Sequence, residues 1–360
     1  MGIGRFAYTP ILPLMTTQAA ITPALAGQLA TANYVGYLAG ALAGTASTRL
    51  TRSAVAWRTS LVVLVATLAA MPLASNAAEW VTLRTVAGFT SAVVFVIAVT
   101  SMLDRLADHS PHMSGWGFGG VGVGIALSAA QVLALPQSRW QTAWWTAAIS
   151  AAVLSAAAWS MGVKPRPTTV SAAEREPRRR FDHRFAVLFV SYSLEGIGYI
   201  VAGTFLVAAI RESSPGWLGN GAWLFVGLAA APSAVLWARL GARWSHHTLL
   251  ALALMLQAIG IALPAVAGGS AAALVGAVLF GGTFIGVSTM ALAAGRLLQF
   301  PGAVALLTAG YSVGQIVGPV AVTPMLRHGF QSALVAAALV VVAAAAAAAL
   351  VRIPQPGLVR

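Results

Sequence analysis

The sequence has no cysteine and few charged residues in its 360 positions. Without cysteine, the chain can form neither disulfides nor thiolate metal sites, and it has no cysteine nucleophile. Charged residues make up 8% of the chain, whereas soluble domains carry about 25%. Hydrophobic residues make up 59%, and the mean hydropathy is +0.83. So few charges cannot cover a water-facing surface of this size, and the chain is therefore predicted to lie in a lipid bilayer.

Long apolar runs divide the sequence into membrane-spanning candidates, because a spanning helix needs about 20 mostly apolar residues. About eleven such runs are present, with residues 1–15 as a shorter additional candidate. They lie at 24–46, 58–75, 81–103, 115–135, 142–163, 185–210, 221–240, 248–267, 271–292, 301–322 and 332–351. The polar segment 164–184 is predicted to be a cytoplasmic linker. We therefore expect an all-α integral membrane protein with one six-helix bundle over 1–163 and a second over 185–360.

The basic residues indicate the orientation of these spans. All but five of the 21 basic residues fall in one alternating set of connections. The other set holds Arg139, Arg211 and Arg327, while Arg5 and Arg84 lie within spans. Cytoplasmic loops carry an excess of Lys and Arg, so both termini are predicted to be cytoplasmic. This topology accounts for the net charge of +13 without a nucleic-acid partner. Lys164 is the only lysine, a bias typical of GC-rich bacterial genes, so a bacterial inner membrane is the expected location.

The two halves of the sequence resemble each other at a constant offset. The string "GIGRFAYTPIL" begins at Gly2 and "GIGYIVAGTFL" begins at Gly196, an offset of 196 − 2 = 194. Two glycine pairs, one in the fifth span and one in the eleventh, repeat at the same offset: Gly120 with Gly124, and Gly314 with Gly318. Two independent matches at one offset indicate a duplicated six-helix unit with parallel repeats.

Polar side chains are concentrated in two of every three spans. The third, sixth, ninth and twelfth spans are almost featureless, with Gln257 the main exception, and we expect them on the lipid-facing outside. All six tyrosines lie on other spans, which we expect to surround a central cavity. The expected cavity residues are Arg5, Tyr8, Asn33, Tyr34, Tyr37, Tyr192, Tyr199, Thr204, Thr283, Tyr311 and Gln315. A belt of tyrosines at the membrane interface is the alternative.

Glycines at intervals of four residues are expected to let helices approach closely. They are Gly36, Gly40, Gly44, Gly120, Gly124, Gly310, Gly314 and Gly318. The string "GWGFGGVGVG" at 115–124 superficially resembles a phosphate loop. It follows no predicted strand, and no Lys-Ser/Thr follows it, so helix packing is the favoured interpretation.

Charged residues within the spans are the strongest functional signal, because charges in a membrane are usually functional. Glu195 lies eleven residues after Arg184, and Arg5 lies eleven residues before Thr16. Both distances correspond to about 16 Å of helix and place the two charges near mid-depth. We expect them to face a shared cavity and to neutralise each other, with a structural, protonated carboxyl as the alternative for Glu195. Arg84 lies about 6 Å into the fourth span, where it could snorkel to the interface.

Several strings resemble one known family. "GIGRFAYTPILPLM", "ANYVGYLAGAL", "YSLEGIGYIVAGTFL", "FGGTFIGVSTMALAAGR" and "YSVGQIVGP" together resemble the YbfB/YjiJ-type branch of the major facilitator superfamily, over essentially the whole chain. "LRTVAG" (Leu83–Gly88) is similar to the fourth-helix Arg-x-x-x-Gly motif of the superfamily, whose arginine is linked to proton transfer in several exporters. The resemblance therefore makes Arg84 a candidate for proton coupling.

Two features depart from the pattern of that family. "TASTRLTR" and its counterpart "WARLGARWS" lack the usual aspartate, so a cytoplasmic charge lock is not expected. An apolar half-helix would be expected before the first "GIG" string, so we interpret Met1 as an internal methionine and the first helix as truncated at its N-terminus.

The resemblance and the membrane charges together predict a secondary transporter that works by alternating access. We expect proton coupling through Glu195 and Arg84, export of a small polar or amphipathic metabolite or drug, and a monomer without cofactor or metal. A non-transporting membrane sensor with the same fold is the alternative. An enzyme is disfavoured because the histidines lie in or beside loops and no two carboxylates share a span.

Overall fold

The computed structural model describes residues 2–106, 112–135, 139–161, 183–214, 216–241, 243–298, 300 and 303–351. These residues are almost entirely helical, and no strand occurs among them. The expected linker at 164–184 lies outside the described residues except for its last two positions.

Each predicted span corresponds to helix in the structure. The first half contains α1 (Gly2–Phe6), α2 (Tyr8–Gln18), α3 (Pro23–Ala46), the short α4 (Thr48–Thr51), α5 (Ala54–Ala70), α6 (Ala77–Leu106), α7 (His112–Ala134) and α8 (Trp140–Ala158). The second half contains α9 (His183–Ser213), α10 (Leu218–Gly241), α11 (His246–Val266), α12 (Gly269–Leu297), α13 (Ala303–Val322) and α14 (Phe330–Leu350). Within the described ranges, nine helices are long and apolar enough to cross a membrane, so this is a multi-pass membrane protein.

The first membrane span is one continuous rod that consists of α1 and α2. The backbone of Ala7 joins α1 to α2, since its N–H donates to Ile3 O at 3.0 Å and its carbonyl accepts from Ile11 N at 3.4 Å. Several later helices begin at a capping hydroxyl of the kind that satisfies the first free amide groups. Ser53 accepts from Ala56 N before α5, and Ser245 accepts from Thr248 N before α11.

Alternation of the helices gives the bundle two distinct ends. The arginine-rich end carries Arg49, Arg58, Arg239 and Arg296 at helix termini or adjoining turns. The opposite end carries Arg139, Arg211 and Arg327, together with the turns before α3 and α10. We call these two membrane faces the arginine-rich end and the opposite end.

The helices of the two halves share an interface. The nearly featureless helices α5, α8, α11 and α14 pack chiefly against helices of their own half. Contacts between the halves come chiefly from α2 with α9, α3 with α13, and α7 with α10. The bland helices therefore lie outside the interface, as their composition predicts.

The two flanks of this interface are packed differently. Along one flank α7 and α10 meet through backbone, since a Cβ at Gly122 or Gly227 would meet the main chain of the other helix. Along the other flank α3 meets α13 near the opposite end, where Gly27 faces Thr323. Towards the arginine-rich end, α3 and α13 instead border a cavity of about 520 Å³. The halves are thus closely joined on one side and separated at one end of the other.

Most of the expected packing glycines do allow close approach. Gly36, Gly40 and Gly44 of α3 face α6, while Gly310, Gly314 and Gly318 of α13 face α9, and Gly124 of α7 faces Gly2 of α1. Gly120 is the exception, because a Cβ there would meet no atom within 4 Å. Gly120 lines a small cavity instead of a helix contact, so the packing prediction is wrong at this position.

Candidate functional site

A cavity of about 200 Å³ lies between the two halves at mid-depth. Arg5 and Tyr37 line it from the first half, and Tyr199, Tyr311 and Gln315 line it from the second. Five of the twelve other lining residues are aromatic. Residues from both repeats thus converge on one space, as expected for a site on the pseudo-twofold axis.

Arg5 is the only charged side chain among the described residues that line this cavity. Its guanidinium donates a hydrogen bond to Oε1 of Gln315, across the interface between the halves. The guanidinium carbon lies 4.0 Å from the ring centroid of Tyr37, and the ring of Phe6 lies at 5.2 Å. Arg5 Nε is buried and has no hydrogen-bond partner. Aromatic faces and a neutral amide therefore surround a buried cation.

Three tyrosines form a stacked layer along the second half of the cavity wall. The rings of Tyr192 and Tyr311 stack at 4.6 Å, and Tyr199 stacks on Tyr311 at 5.8 Å. Tyr199 also stacks on Phe284 at 4.9 Å, with an interplanar angle of 9°. Flat parallel rings in this arrangement form a continuous aromatic surface facing Arg5.

Glu195 is not among the residues that line the cavity. It is fully buried, and Gln257 Nε2 donates to its Oε1 at 3.3 Å, while its Oε2 has no partner. Glu195 and Arg5 form no ion pair in the described part of the chain, so the expected mutual neutralisation does not occur. Matched depth did not imply contact, because Arg5 bonds Gln315 and lines the cavity, whereas Glu195 bonds Gln257 and is not among the lining residues.

Arg84 is buried and does not snorkel to the interface. It is 1% exposed, with its guanidinium carbon 4.8 Å from the ring of Tyr8 and its Nε 3.4 Å from the carbonyl of Leu29. Both of its terminal nitrogens are buried without partners. Asn33 donates to the backbone carbonyl of Arg84 at 3.0 Å and ties α3 to α6. The residue lies two turns into α6 on the face towards α3, which depth alone could not predict.

Two hydrogen bonds join the halves between the cavity and the opposite end. The hydroxyl of Thr9 donates to the carbonyl of Gly203 at 2.5 Å. The hydroxyls of Tyr34 and Thr204 are 2.9 Å apart. Thr9 and Gly203 differ by the same 194 positions as the sequence repeat, so each residue meets its own counterpart across the pseudo-twofold axis. We call these two bonds the inter-half latch.

The cavity continues towards the arginine-rich end. Thr308 and Ser312 line both the central cavity and the space of about 520 Å³ between α3 and α13. Phe95 and Phe118 are shared with a further space of about 200 Å³ beside α6 and α7. The latch lies on the other side of the cavity, so the space between the described parts of the two halves extends towards the arginine-rich end.

The structure places six of the expected residues in the cavity lining and five elsewhere. The six are Arg5, Tyr37, Tyr192, Tyr199, Tyr311 and Gln315. The five are Tyr8, bonded to the carbonyl of Ala26; Asn33, bonded to Arg84; Tyr34 and Thr204 in the latch; and Thr283, whose hydroxyl bonds the carbonyl of Leu279 in its own helix.

Sequence reasoning missed several residues of the site. Ser288 and Thr289 on α12, and Thr308 and Ser312 on α13, add hydroxyls to the cavity wall. Gln257, the partner of Glu195, was visible in the sequence as the polar exception in a featureless span. Its spacing gave no sign that α11 would place it against α9. Within the described ranges, no cluster of His, Asp or Glu could hold a metal ion.

Two six-helix bundles around a central cavity define a transporter of the major facilitator type. The chain matches the family described as "Uncharacterised MFS-type transporter YbfB" over residues 1–352, and it belongs to that family. Two solved structures are similar in fold: the nucleoside transporter NupG, with a TM-score of 0.71, and a point mutant of NupG, with a TM-score of 0.74. Each is 12% identical and matches over 96% of both chains. The comparison with curated proteins gives no match.

Proposed function

We propose that this transporter is proton-coupled and exports a small polar or amphipathic molecule by alternating access. The cavity supports this proposal because it lies between the halves and, within the described residues, continues into further space towards the arginine-rich end. By the positive-inside rule, the arginine-rich end is cytoplasmic. Both termini then lie on the cytoplasmic side of a bacterial inner membrane. One chain contains the whole cavity, so a monomer suffices.

The proposal of proton coupling rests on the buried position of the Glu195 carboxyl. Among the described side chains, it is the one carboxyl deep within the spans, since Glu79 and Glu212 lie near the opposite end. A buried carboxylate with one neutral partner is costly, and protonation removes that cost. Glu195 is not among the cavity-lining residues, so a proton on Glu195 and a substrate in the cavity would occupy different places. Arg84 would act on the same step, as its resemblance to the fourth-helix motif implies.

The direct test is transport by purified protein in proteoliposomes with an imposed pH gradient, screened over a panel of small molecules. The panel includes nucleosides because NupG is described as a nucleoside transporter, although at 12% identity that likeness shows the fold alone. The sign of the gradient that drives accumulation distinguishes export from uptake.

Glu195→Gln is the informative variant, and Glu212→Gln is its matched control on the same helix. Glu212 accepts a hydrogen bond from the backbone of Phe330 at 2.9 Å, a role that a glutamine oxygen can also fill. We expect Glu195→Gln to abolish gradient-driven flux while retaining exchange of substrate, and Glu212→Gln to retain both. Gradient-driven flux in Glu195→Gln would contradict the assignment. Substrate binding without any flux would favour a membrane sensor.

A further inference from the structure

We propose that the cavity binds a monoanion with a flat apolar body, such as an aromatic carboxylate. This inference rests on the proposed function, because it names the substrate class of the same cavity. It follows from the charge balance of the interior, from the unfilled hydrogen-bonding capacity of Arg5 and from the shape of the wall.

The interior carries an excess of positive charge. Two guanidinium groups, Arg5 and Arg84, are buried in the first half, and no carboxylate side chain among the described residues contacts either of them. The one deep carboxyl among the described side chains, Glu195, bonds Gln257 and does not line the cavity. A buried charge without a counter-charge is costly, so an anion in the cavity would relieve the imbalance. A cationic substrate would increase it.

Arg5 has unused capacity to bind an anion. Its guanidinium has five N–H donors, of which one nitrogen bonds Gln315 and another bonds the hydroxyl of Tyr37, while the buried Nε has no partner. The rings of Tyr37 and Tyr34, which are neutral phenols, lie 4.0 and 5.4 Å from the guanidinium carbon. A guanidinium matches a planar carboxylate through two parallel hydrogen bonds, and such charge-assisted pairs are among the strongest.

The wall around Arg5 suits a flat body. The ring of Tyr37 lies against the guanidinium, and the stacked rings of Tyr199 and Phe284 form the facing wall. A volume of about 200 Å³ leaves room for a small molecule. Aromatic faces favour parallel contact with another ring. Hydroxyls of Ser288 and Ser312 line the same space, so polar ring substituents could be accommodated.

The test measures binding, independently of any gradient, by thermal unfolding of the full-length protein in detergent. The probes are benzoate, its neutral counterpart benzamide, the non-planar cyclohexanecarboxylate, and uridine. We expect benzoate to raise the unfolding temperature in a saturable manner. Benzamide should bind at least about tenfold more weakly, because the charge-assisted pair is lost. Cyclohexanecarboxylate should be intermediate, because it retains the charge and loses the ring contact.

Two variants locate the effect. Arg5→Gln should abolish the shift caused by benzoate, while Arg211→Gln, which removes an arginine near the opposite end, should retain it. Equal shifts with benzoate and benzamide, stronger binding of uridine than of benzoate, or a benzoate shift that persists in Arg5→Gln would each overturn the proposal. The comparison of ligands on the unaltered protein decides the question even if Arg5→Gln does not fold. Binding without gradient-driven flux would leave this inference standing and contradict the proposed transport function.

Discussion

The inter-half latch predicts that removing one hydroxyl shifts the balance between the two conformations of the transporter. In the present structure the hydroxyl of Thr204 bonds that of Tyr34 at 2.9 Å, with the two side chains 1% and 4% exposed. The two residues belong to different halves, so the bond must break when the halves separate at the opposite end. Thr204→Val removes the hydroxyl with little change in volume.

The size of the shift follows from the cost of one hydrogen bond inside a membrane protein. Such bonds contribute about 0.6 to 1.5 kcal/mol. At about 1.4 kcal/mol per factor of ten, the loss favours the conformation open at the opposite end by about threefold to tenfold. Thr204 also bonds the carbonyl of Ile200 in its own helix, but that bond is compatible with both conformations.

The absence of native cysteine makes the measurement simple, because one introduced thiol reports one position. Gly203→Cys places that thiol at the latch, and a Cβ there would touch only Tyr199 and Ile200 of the same helix, at 3.9 and 4.0 Å. The rate of maleimide labelling of this thiol in detergent measures how often the opposite end opens. We expect Thr204→Val to raise that rate by about threefold to tenfold.

The matched control is Thr283→Val, which removes a hydroxyl bonded only within its own helix, to the carbonyls of Leu279 and Phe280. The control should label at the rate of the parent. Tyr34→Phe should raise the rate as Thr204→Val does, and the double variant should add little, because both changes break one bond. Equal labelling rates for Thr204→Val and Thr283→Val would refute the latch.

Other predictions concern the buried polar groups and the close flank. Arg84→Met should raise the unfolding temperature and lower gradient-driven flux, because it removes a buried charge with two unpartnered nitrogens. A lower unfolding temperature would show that the charge is stabilising. Gly227→Val should destabilise the protein, because the new Cβ would meet the backbone of α7. Gly120→Ala should leave the unfolding temperature unchanged, because a Cβ there meets no atom within 4 Å. Equal stability of the two variants would contradict the packing described. Gln257→Leu should change the external pH at which flux is half-maximal, because Glu195 loses its hydrogen-bond donor; an unchanged pH profile would show that Gln257 does not act on Glu195.

The sequence was sufficient to predict the helices, because a spanning helix is specified by the length and composition of a local run. The bland outer helices were predictable for the same reason. The direction in which a side chain leaves its helix was not predictable: Arg84 is buried against α3 rather than placed at the membrane interface, and Glu195 bonds Gln257 rather than lining the cavity. Which face of a helix meets a neighbour depends on contacts between segments that are far apart in sequence.

The repeat carried more information about the site than any single motif. Matching positions at an offset of 194 placed Thr9 and Gly203 at equivalent depth, and the structure brings them into direct contact. The same offset did not predict the packing of Gly120. Its counterpart Gly314 packs tightly against α9, whereas a Cβ at Gly120 would meet no atom within 4 Å. Equivalent positions share depth and helix, but their neighbours differ once the two copies have diverged in side-chain size.

The unequal flanks of the interface determine how the halves can move. Backbone contact through Gly122 and Gly227 leaves little freedom between α7 and α10, so that flank would be the pivot of the proposed alternating-access motion. The displacement of any helix then increases with its distance from the pivot, and it is largest between α3 and α13. Pairs of spin labels across these two flanks would therefore show a small and a large change in distance during one cycle. Such a motion is a rotation about one edge of the bundle, and the opposite edge moves farthest against the surrounding lipid.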